Sequence, residues 1–510
     1  MISSLLLIVF AAALCAWFAS YLRAKSLPPF PPGPPQCPLV GNLFSLTSRP
    51  WEPCMQWSRE YHSDIIRLNL VGTSVIVLSS LSATEALLAK RSAIYSDRPP
   101  APMACDLMGW KYLFVFMNYG DEWRTHRRLF SQELSPLATE NEFRTSTRVS
   151  AHHLLRRLLH EPKDYLEHLY RYAGEVIISL TYGGDAAVGE APYIHLAEQG
   201  TKNIASAVVP GRFLVDVLPI LRHVPEWFPG AGFQIIAREG KNLAEKMRNV
   251  PFMDMKRKME EGTAQACFTV NALQALDSCR DSSSYFDEST VKNVAAVTSI
   301  GGVETIAMTL SIFILAMVLN PDVLKKAQRE VDEVVKQTGE FPDLNDEDVL
   351  PYVAAVMREL LRWKPLAPIG IPHRLSTDDH YQGYHLPAGS LVIGNAWAIL
   401  RDEKLYGPDT EAFKPERFLH SDGKLNKTIP HPETSAFGFG RRICPGSHIA
   451  MSAVWIGVVS MLAKLDIGRS TDETDEREEP HEMAFGGGGM ITPLPFKCSL
   501  TLRAVEVVDI

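Results

Sequence analysis

The chain has few cysteines for its length, and they form no pattern. Eight occur in 510 residues, at 15, 37, 54, 105, 267, 279, 444 and 498. No two make a Cys-x-x-Cys pair, which argues against a zinc site and a disulfide scaffold and fits reduced thiols in a cytosolic setting. An excess of positive charge is also lacking. The net charge of −8 leaves no electrostatic footprint for nucleic acid. No repeat or linker divides the chain after residue 45. No dinucleotide or flavin fingerprint is present.

The N-terminus lacks charge. Ile2 to Leu22 carries none, and Arg23 and Lys25 follow at once. About 20 apolar helical residues span a hydrocarbon core roughly 30 Å thick. A cleaved signal peptide carries its basic residues before the apolar run, whereas here they follow it. Residues 1–25 therefore read as an uncleaved signal anchor, a transmembrane helix with the following chain on the cytosolic side. Residues 26–45 hold Pro28, Pro29, Pro31, Pro32, Pro34 and Pro35, a stiff spacer or hinge. Residues 46–510 read as one catalytic domain. Its background of 46% hydrophobic and 22% charged residues suits a sizeable core.

Ile65 to Leu78 is rich in β-branched residues around Gly72-Thr73 and reads as a hairpin. Ser82 to Lys90 reads as a helix with a serine cap. Residues 97–120 carry Trp110, Phe114 and Phe116 without periodicity, as the apolar wall of a pocket would. Asp121 opens a helix with acids in its first turn, where the macrodipole favours them. Trp123 and Arg127, four apart, share one face of it. Arg124, Arg128 and Arg441 form either a solvated basic face or a docking face for an acidic partner. Residues 140–260 read as helices broken at Pro210-Gly211 and at 225–230. In the second break, Trp227 and Phe228 either join the core or dip into a membrane interface. Tyr384 to Ile393 reads as a hairpin around Pro387-Ala-Gly389. Asp472 to Glu479 reads as a solvated acidic loop, and Phe485 to Met490 as a flexible turn before a final strand pair.

Val291 to Leu319 is the longest helical stretch, apolar nearly all round and hence buried. Gly301-Gly302 interrupts it, at about 1 kcal/mol per glycine against alanine. Glu304 and Thr305 follow in apolar surroundings. A buried carboxylate must be bonded or protonated. The Thr305 hydroxyl can donate to the Gly301 carbonyl and bend the helix. The glycines leave room for something flat or small; alone, these features also fit a packing kink. Asp348 to Trp363 is another helix, on which Glu359 and Arg362, taken by themselves, make an ordinary surface pair. His373 taken alone is a surface histidine. His448 to Leu465 reads as a further helix.

The chain is organised around Phe437-Gly-Phe-Gly-Arg-Arg-Ile-Cys-Pro-Gly446. Its glycines let the backbone curl tightly, and the curl exposes N–H groups that can point at a thiolate. One protein thiolate suits haem iron; a lone cysteine in such a turn also reads as a structural thiol. The spacing of Phe437, Gly440, Arg442, Cys444 and Gly446 resembles the haem-binding loop of the cytochrome P450 family. Gly301 to Thr305 resembles that family's distal element, and Trp123-x-x-x-Arg127 its propionate-binding pair. Glu359-x-x-Arg362 and Phe413-Lys-Pro-Glu-Arg-Phe418 resemble the elements that build a buried ion triad with Arg417.

The resemblance implies a mainly α fold with small β-sheets. It implies haem b (iron protoporphyrin IX) with Cys444 as the axial iron ligand. Trp123, Arg127, His373 and Arg442 would hold the propionates, and Gly301 would face the ring. Glu304 and Thr305 would handle oxygen and protons, while Glu359, Arg362 and Arg417 brace the loop. It implies a monooxygenase that places one oxygen atom of dioxygen into a C–H bond of a lipophilic small molecule. The motifs look most like those of fungal secondary metabolism, with a terpenoid, polyketide, sterol or alkaloid intermediate as substrate. Electrons would come from NADPH through NADPH–cytochrome P450 reductase of the endoplasmic reticulum, with cytochrome b5 as a further donor, to a single-pass enzyme facing the cytosol. Ile306 departs from the second hydroxyl residue of many members, which bears on proton delivery. Two other classes stand beside this reading. One is an oxygen-independent haem–thiolate isomerase or dehydratase, against which the Glu304-Thr305 pair argues. The other is a haem sensor, against which the apolar 97–120 segment argues.

Overall fold

The computed structural model describes residues 28–183, 191–209, 211–278, 285–472, 477, 479–481, 485–486 and 490–503. The apolar segment expected to be an anchor lies outside the described residues, as do parts of the acidic run and of the glycine turn. The architecture is mainly helical with three small sheets. The principal helices are α1 (Trp51–Glu60), α2 (Asp121–Glu133), α3 (Pro136–His160), α4 (Tyr165–Tyr182), α5 (Ala191–Ala207) and α6 (Gly232–Glu260). They continue with α7 (Phe268–Ser278), α8 (Glu288–Leu319), α9 (Pro321–Thr338), α10 (Pro351–Trp363) and α11 (Ser447–Lys464).

Helix α8 is the axle. Asp287 caps it by accepting the Thr290 N–H at 2.8 Å, and Asn320-Pro321 ends it because proline cannot continue the ladder. Helices α2, α4, α5, α6, α7 and α11 all pack on it. Both α8 and α11 are long and apolar enough to cross a membrane, but they are buried inside the protein and serve as core.

The four-stranded sheet has the order β1 (Ile65–Leu70), β2 (Thr73–Leu78), β6 (Leu391–Gly394), β3 (His373–Arg374). β1 and β2 form the expected hairpin, in register from Ile65–Leu78 to Leu70–Thr73. The hairpin expected over 384–393 does not exist. β5 (Tyr384–Leu386) turns back on β4 (Asp379–Tyr381) instead, and β6 crosses to pair parallel with β2. The final pair, β7 (Leu465–Gly468) and β8 (Ser499–Leu502), brackets the glycine-rich turn rather than following it.

Two local expectations shift. The helix near residue 82 is capped by Ser80, whose hydroxyl accepts the Ala83 N–H at 3.1 Å, and it passes into a π-helical stretch over Glu85–Lys90. The proline run is bonded to the domain surface from Pro29 onward. The Pro32 carbonyl accepts the Arg67 N–H at 2.8 Å, and the Pro29 carbonyl accepts the His385 N–H at 2.8 Å. Any free spacer is therefore confined to residues before 29.

Candidate active site

The loop carrying Cys444 is tied into a closed curl. The helical turn Glu433–Ala436 runs directly into Phe437, whose carbonyl accepts the Cys444 N–H at 2.8 Å. Gly440 has φ +56, and a Cβ there would lie 2.0 Å from the Leu88 carbonyl oxygen, so no other residue fits. The same backbone approach locks the loop against the π-helical stretch 85–90. Cys444 keeps an exposed surface even though the protein encloses it. Burial pushes its thiol up, while the Gly446 N–H and the Arg127 guanidinium act the other way. These are two fixed groups that favour the thiolate.

Consecutive residues of α2 join the loop to α8. Arg127 Nη1 donates to the Ile443 carbonyl at 2.6 Å. His126, buried on the next position round the helix, reaches Asn293 of α8 at 3.0 Å through Nε2. Trp123 is buried as well, with the Arg442 guanidinium 4.7 Å from its ring centre.

Arg442 is buried and donates to the carbonyls of Ser96, Phe114 and Met117. Arg98, which the sequence reading did not single out, is buried beside it. It donates to the carbonyls of Val115, Ile371 and Pro372. Burial and the neighbouring Arg442 push Arg98 down to about 9. Burial pushes Arg442 down to about 10, with Arg127 adding to the effect and Asp97 opposing it. His373 is buried on β3. Its Nδ1 donates to the Tyr95 carbonyl at 2.7 Å, and burial with Arg98 and Arg442 nearby holds it down to about 3. Arg98, Arg127, Arg442 and a neutral His373 are thus gathered together. Among the described residues, none of the three arginines has a carboxylate within ion-pair distance. Such a cluster repels itself unless an anion joins it.

The helical side is as specific. The Thr305 hydroxyl donates to the Gly301 carbonyl at 2.9 Å, as its spacing predicts. The two glycines do different work. A Cβ on Gly301 would meet nothing within 4 Å, so this residue opens space. A Cβ on Gly302 would lie 2.6 Å from Ile177, so this residue permits close packing against α4. Glu304 is half-buried, and its Oε2 has no hydrogen-bond partner among the described residues. Burial pushes its carboxyl up, Lys202 of α5 opposes this, and Glu198 adds to it. Thr201 of α5 also donates to the Ile300 carbonyl at 3.1 Å, pinning α8 beside the opening.

Glu359 and Arg362 form a buried pair, not the surface pair they would make taken alone. Both are fully buried, and they are joined twice, at 2.7 and 2.9 Å. Arg417 adds a bond of 3.1 Å and the Lys414 N–H one of 2.7 Å to the same carboxylate. Arg362 also donates to the carbonyls of Leu400, Thr410 and Ala412. The network pins the segment 400–417 to α10.

A haem fits these donors: an exposed thiol in a cradle only glycine can form, a buried cationic cluster without its anions, and an opening at Gly301. Among the described residues, no group of three His, Cys, Asp or Glu side chains could hold a metal ion.

Comparison with known proteins agrees. A family model described as Cytochrome P450 matches residues 31–498. Cytochrome P450 monooxygenase 98 of Postia placenta is 43% identical over 506 residues, 98% of this chain and 96% of that protein. Tryptamine 4-monooxygenase of Psilocybe cyanescens is 38% identical over 509 residues, covering 99% and 98%. Cytochrome P450 monooxygenase ple1 of Rhodocybe pseudopiperita is 36% identical over 505 residues, covering 98% and 94%. With the thiol loop, the cationic cluster and the opened helix in place, the chain belongs to the cytochrome P450 family of monooxygenases.

Proposed function

We propose that this monooxygenase hydroxylates a lipophilic intermediate of fungal secondary metabolism, a terpenoid, polyketide or alkaloid. In this reading NADPH–cytochrome P450 reductase supplies the electrons at the cytosolic face of the endoplasmic reticulum. The observation that carries the reading is Cys444, an exposed thiol whose backbone N–H is tied to the Phe437 carbonyl at 2.8 Å in a loop that only glycine can close.

Haem bound through that thiolate supplies the oxygen chemistry. The chain's residues supply the rest. Arg98, Arg127, Arg442 and Trp123 would hold the propionates, with His373 kept neutral beside them. Gly301 leaves room above the ring. Thr305, whose hydroxyl donates to the Gly301 carbonyl, would remain able to accept a proton. Glu304 has its proton stabilised by burial and passes it toward Thr305 as one is consumed. Trp110 and Phe114, expected to line a pocket, are instead buried in the main core.

The lipophilic reading is supported by the surface between α5 and α6. Trp227 is 81% exposed, Ile220 73% and Phe228 51%, so the core reading of these aromatics fails. Exposed apolar side chains gathered on one segment suit a bilayer interface. Arg124, Arg128 and Arg441 are exposed around the Cys444 loop and suit an acidic electron donor.

The test is NADPH consumption with reductase across a lipophilic panel, with labelled dioxygen to trace oxygen into product. Label in the product supports the reading, and substrate turnover without NADPH or dioxygen overturns it. Thr305→Val should keep NADPH consumption but cut product per NADPH by ~10–100-fold, the scale of a lost proton-transfer group. Unchanged coupling would remove Thr305 from the proton path.

A further inference from the structure

Tyr119 sits just before α2, and its ring gathers two exposed guanidiniums. Arg124 lies 5.3 Å from the ring centre and Arg441 4.8 Å. The ring packs at 5.4 Å on Trp123, which in turn carries Arg442. Asp97 holds the Tyr119 backbone by accepting its N–H at 3.0 Å. Like charges brought together at a surface repel. The electron-rich face of a ring offsets this, and Asp121 balances Arg124 through an ion pair. Arg441 has no ion-pair partner among the described residues and immediately precedes the buried Arg442 of the Cys444 loop. A chain with net charge −8 thus keeps an organised basic spot beside its reactive loop.

We propose that Tyr119 is a positioning residue for electron-donor docking: its ring preorganises Arg124 and Arg441 to receive the carboxylates of an acidic protein surface. The proposal rests on reading this face as the side where electrons enter. A free arginine loses rotamer freedom when it binds a partner; one already laid on a ring has less to lose.

The test uses the full-length haem-loaded chain in lipid nanodiscs with NADPH–cytochrome P450 reductase. The rate at which NADPH generates the ferrous–CO band is followed against reductase concentration, which requires no knowledge of the substrate. Tyr119→Leu should raise the half-saturating reductase concentration about fivefold at low salt, the scale of one or two exposed cation–π contacts. Tyr119→Phe keeps the ring and should stay near wild type. The CO spectrum after dithionite reduction should be the same in all variants, which separates docking from damage at the haem. In an Arg124→Gln/Arg441→Gln background, Tyr119→Leu should have no further effect, because the ring acts through those two side chains. An unchanged half-saturation in Tyr119→Leu overturns the proposal, and so does an equal rise in the double-glutamine background. If the double-glutamine variant itself saturates like wild type, the docking face is elsewhere and the underlying reading fails.

Discussion

Cys444→Ser should yield a protein without the ferrous–CO absorption of thiolate haem and with NADPH-dependent product at background. The substitution removes one sulfur and leaves the loop intact. The Cys444 N–H still meets the Phe437 carbonyl, and Gly440 still nests against Leu88. What would be lost, on the proposed ligation, is the electron-donating thiolate that favours O–O cleavage. A serine hydroxyl ionises far less readily than a thiol, and Arg127 with one N–H cannot make up the difference. If Arg98, Arg127 and Arg442 hold the propionates as proposed, they would still retain haem, so the pigment content of the purified variant should fall less than its activity. The check is the haem content by absorption alongside the reduced CO spectrum. A variant that kept the thiolate-type band would remove Cys444 from the iron.

Glu359→Gln should be the most damaging substitution away from the haem. It leaves Arg362 fully buried and Arg417 nearly so with no carboxylate between them. Removing one partner of a buried ion pair costs roughly 3–5 kcal/mol, because the remaining charge stays desolvated. Domain stabilities are only about 5–15 kcal/mol. The segment 400–417 should loosen from α10, and the loop that follows the turn Glu433–Ala436 should lose its footing. The expected result is a strongly reduced yield of haem protein and a thermal midpoint lowered by several degrees. It is followed by loss of the haem absorption on heating. A midpoint equal to wild type would show that the carbonyls of Leu400, Thr410 and Ala412 suffice for Arg362 alone.

The helices were largely legible because their periodicity and stop signals are local. Helix α8 reads from its apolar run to Asn320-Pro321, and Thr305 reaches back to Gly301 because i to i+4 spacing permits it. The failures are non-local. Pro387-Ala-Gly389 carries the same turn signal whether the next strand returns to its neighbour or crosses to β2, more than three hundred residues earlier. Gly301 and Gly302 are identical in sequence, and only Ile177 on α4 separates the opening from the close contact. Arg98 precedes two prolines and looks solvated; its burial depends on carbonyls at 115, 371 and 372. Glu359 and Arg362 left a usable signal. They share a helix face with Ala355, which is buried, so the pair lay on the inner stripe of α10 rather than outside it. The site itself was legible mainly through motif spacing, since each residue alone had an ordinary structural explanation.

The most direct measurement is the reduced, CO-bound difference spectrum of the purified wild-type chain. The expected result is the red-shifted Soret band of haem bound through a cysteine thiolate. A band at the position given by histidine-ligated haem, or a protein that binds no haem, would contradict it.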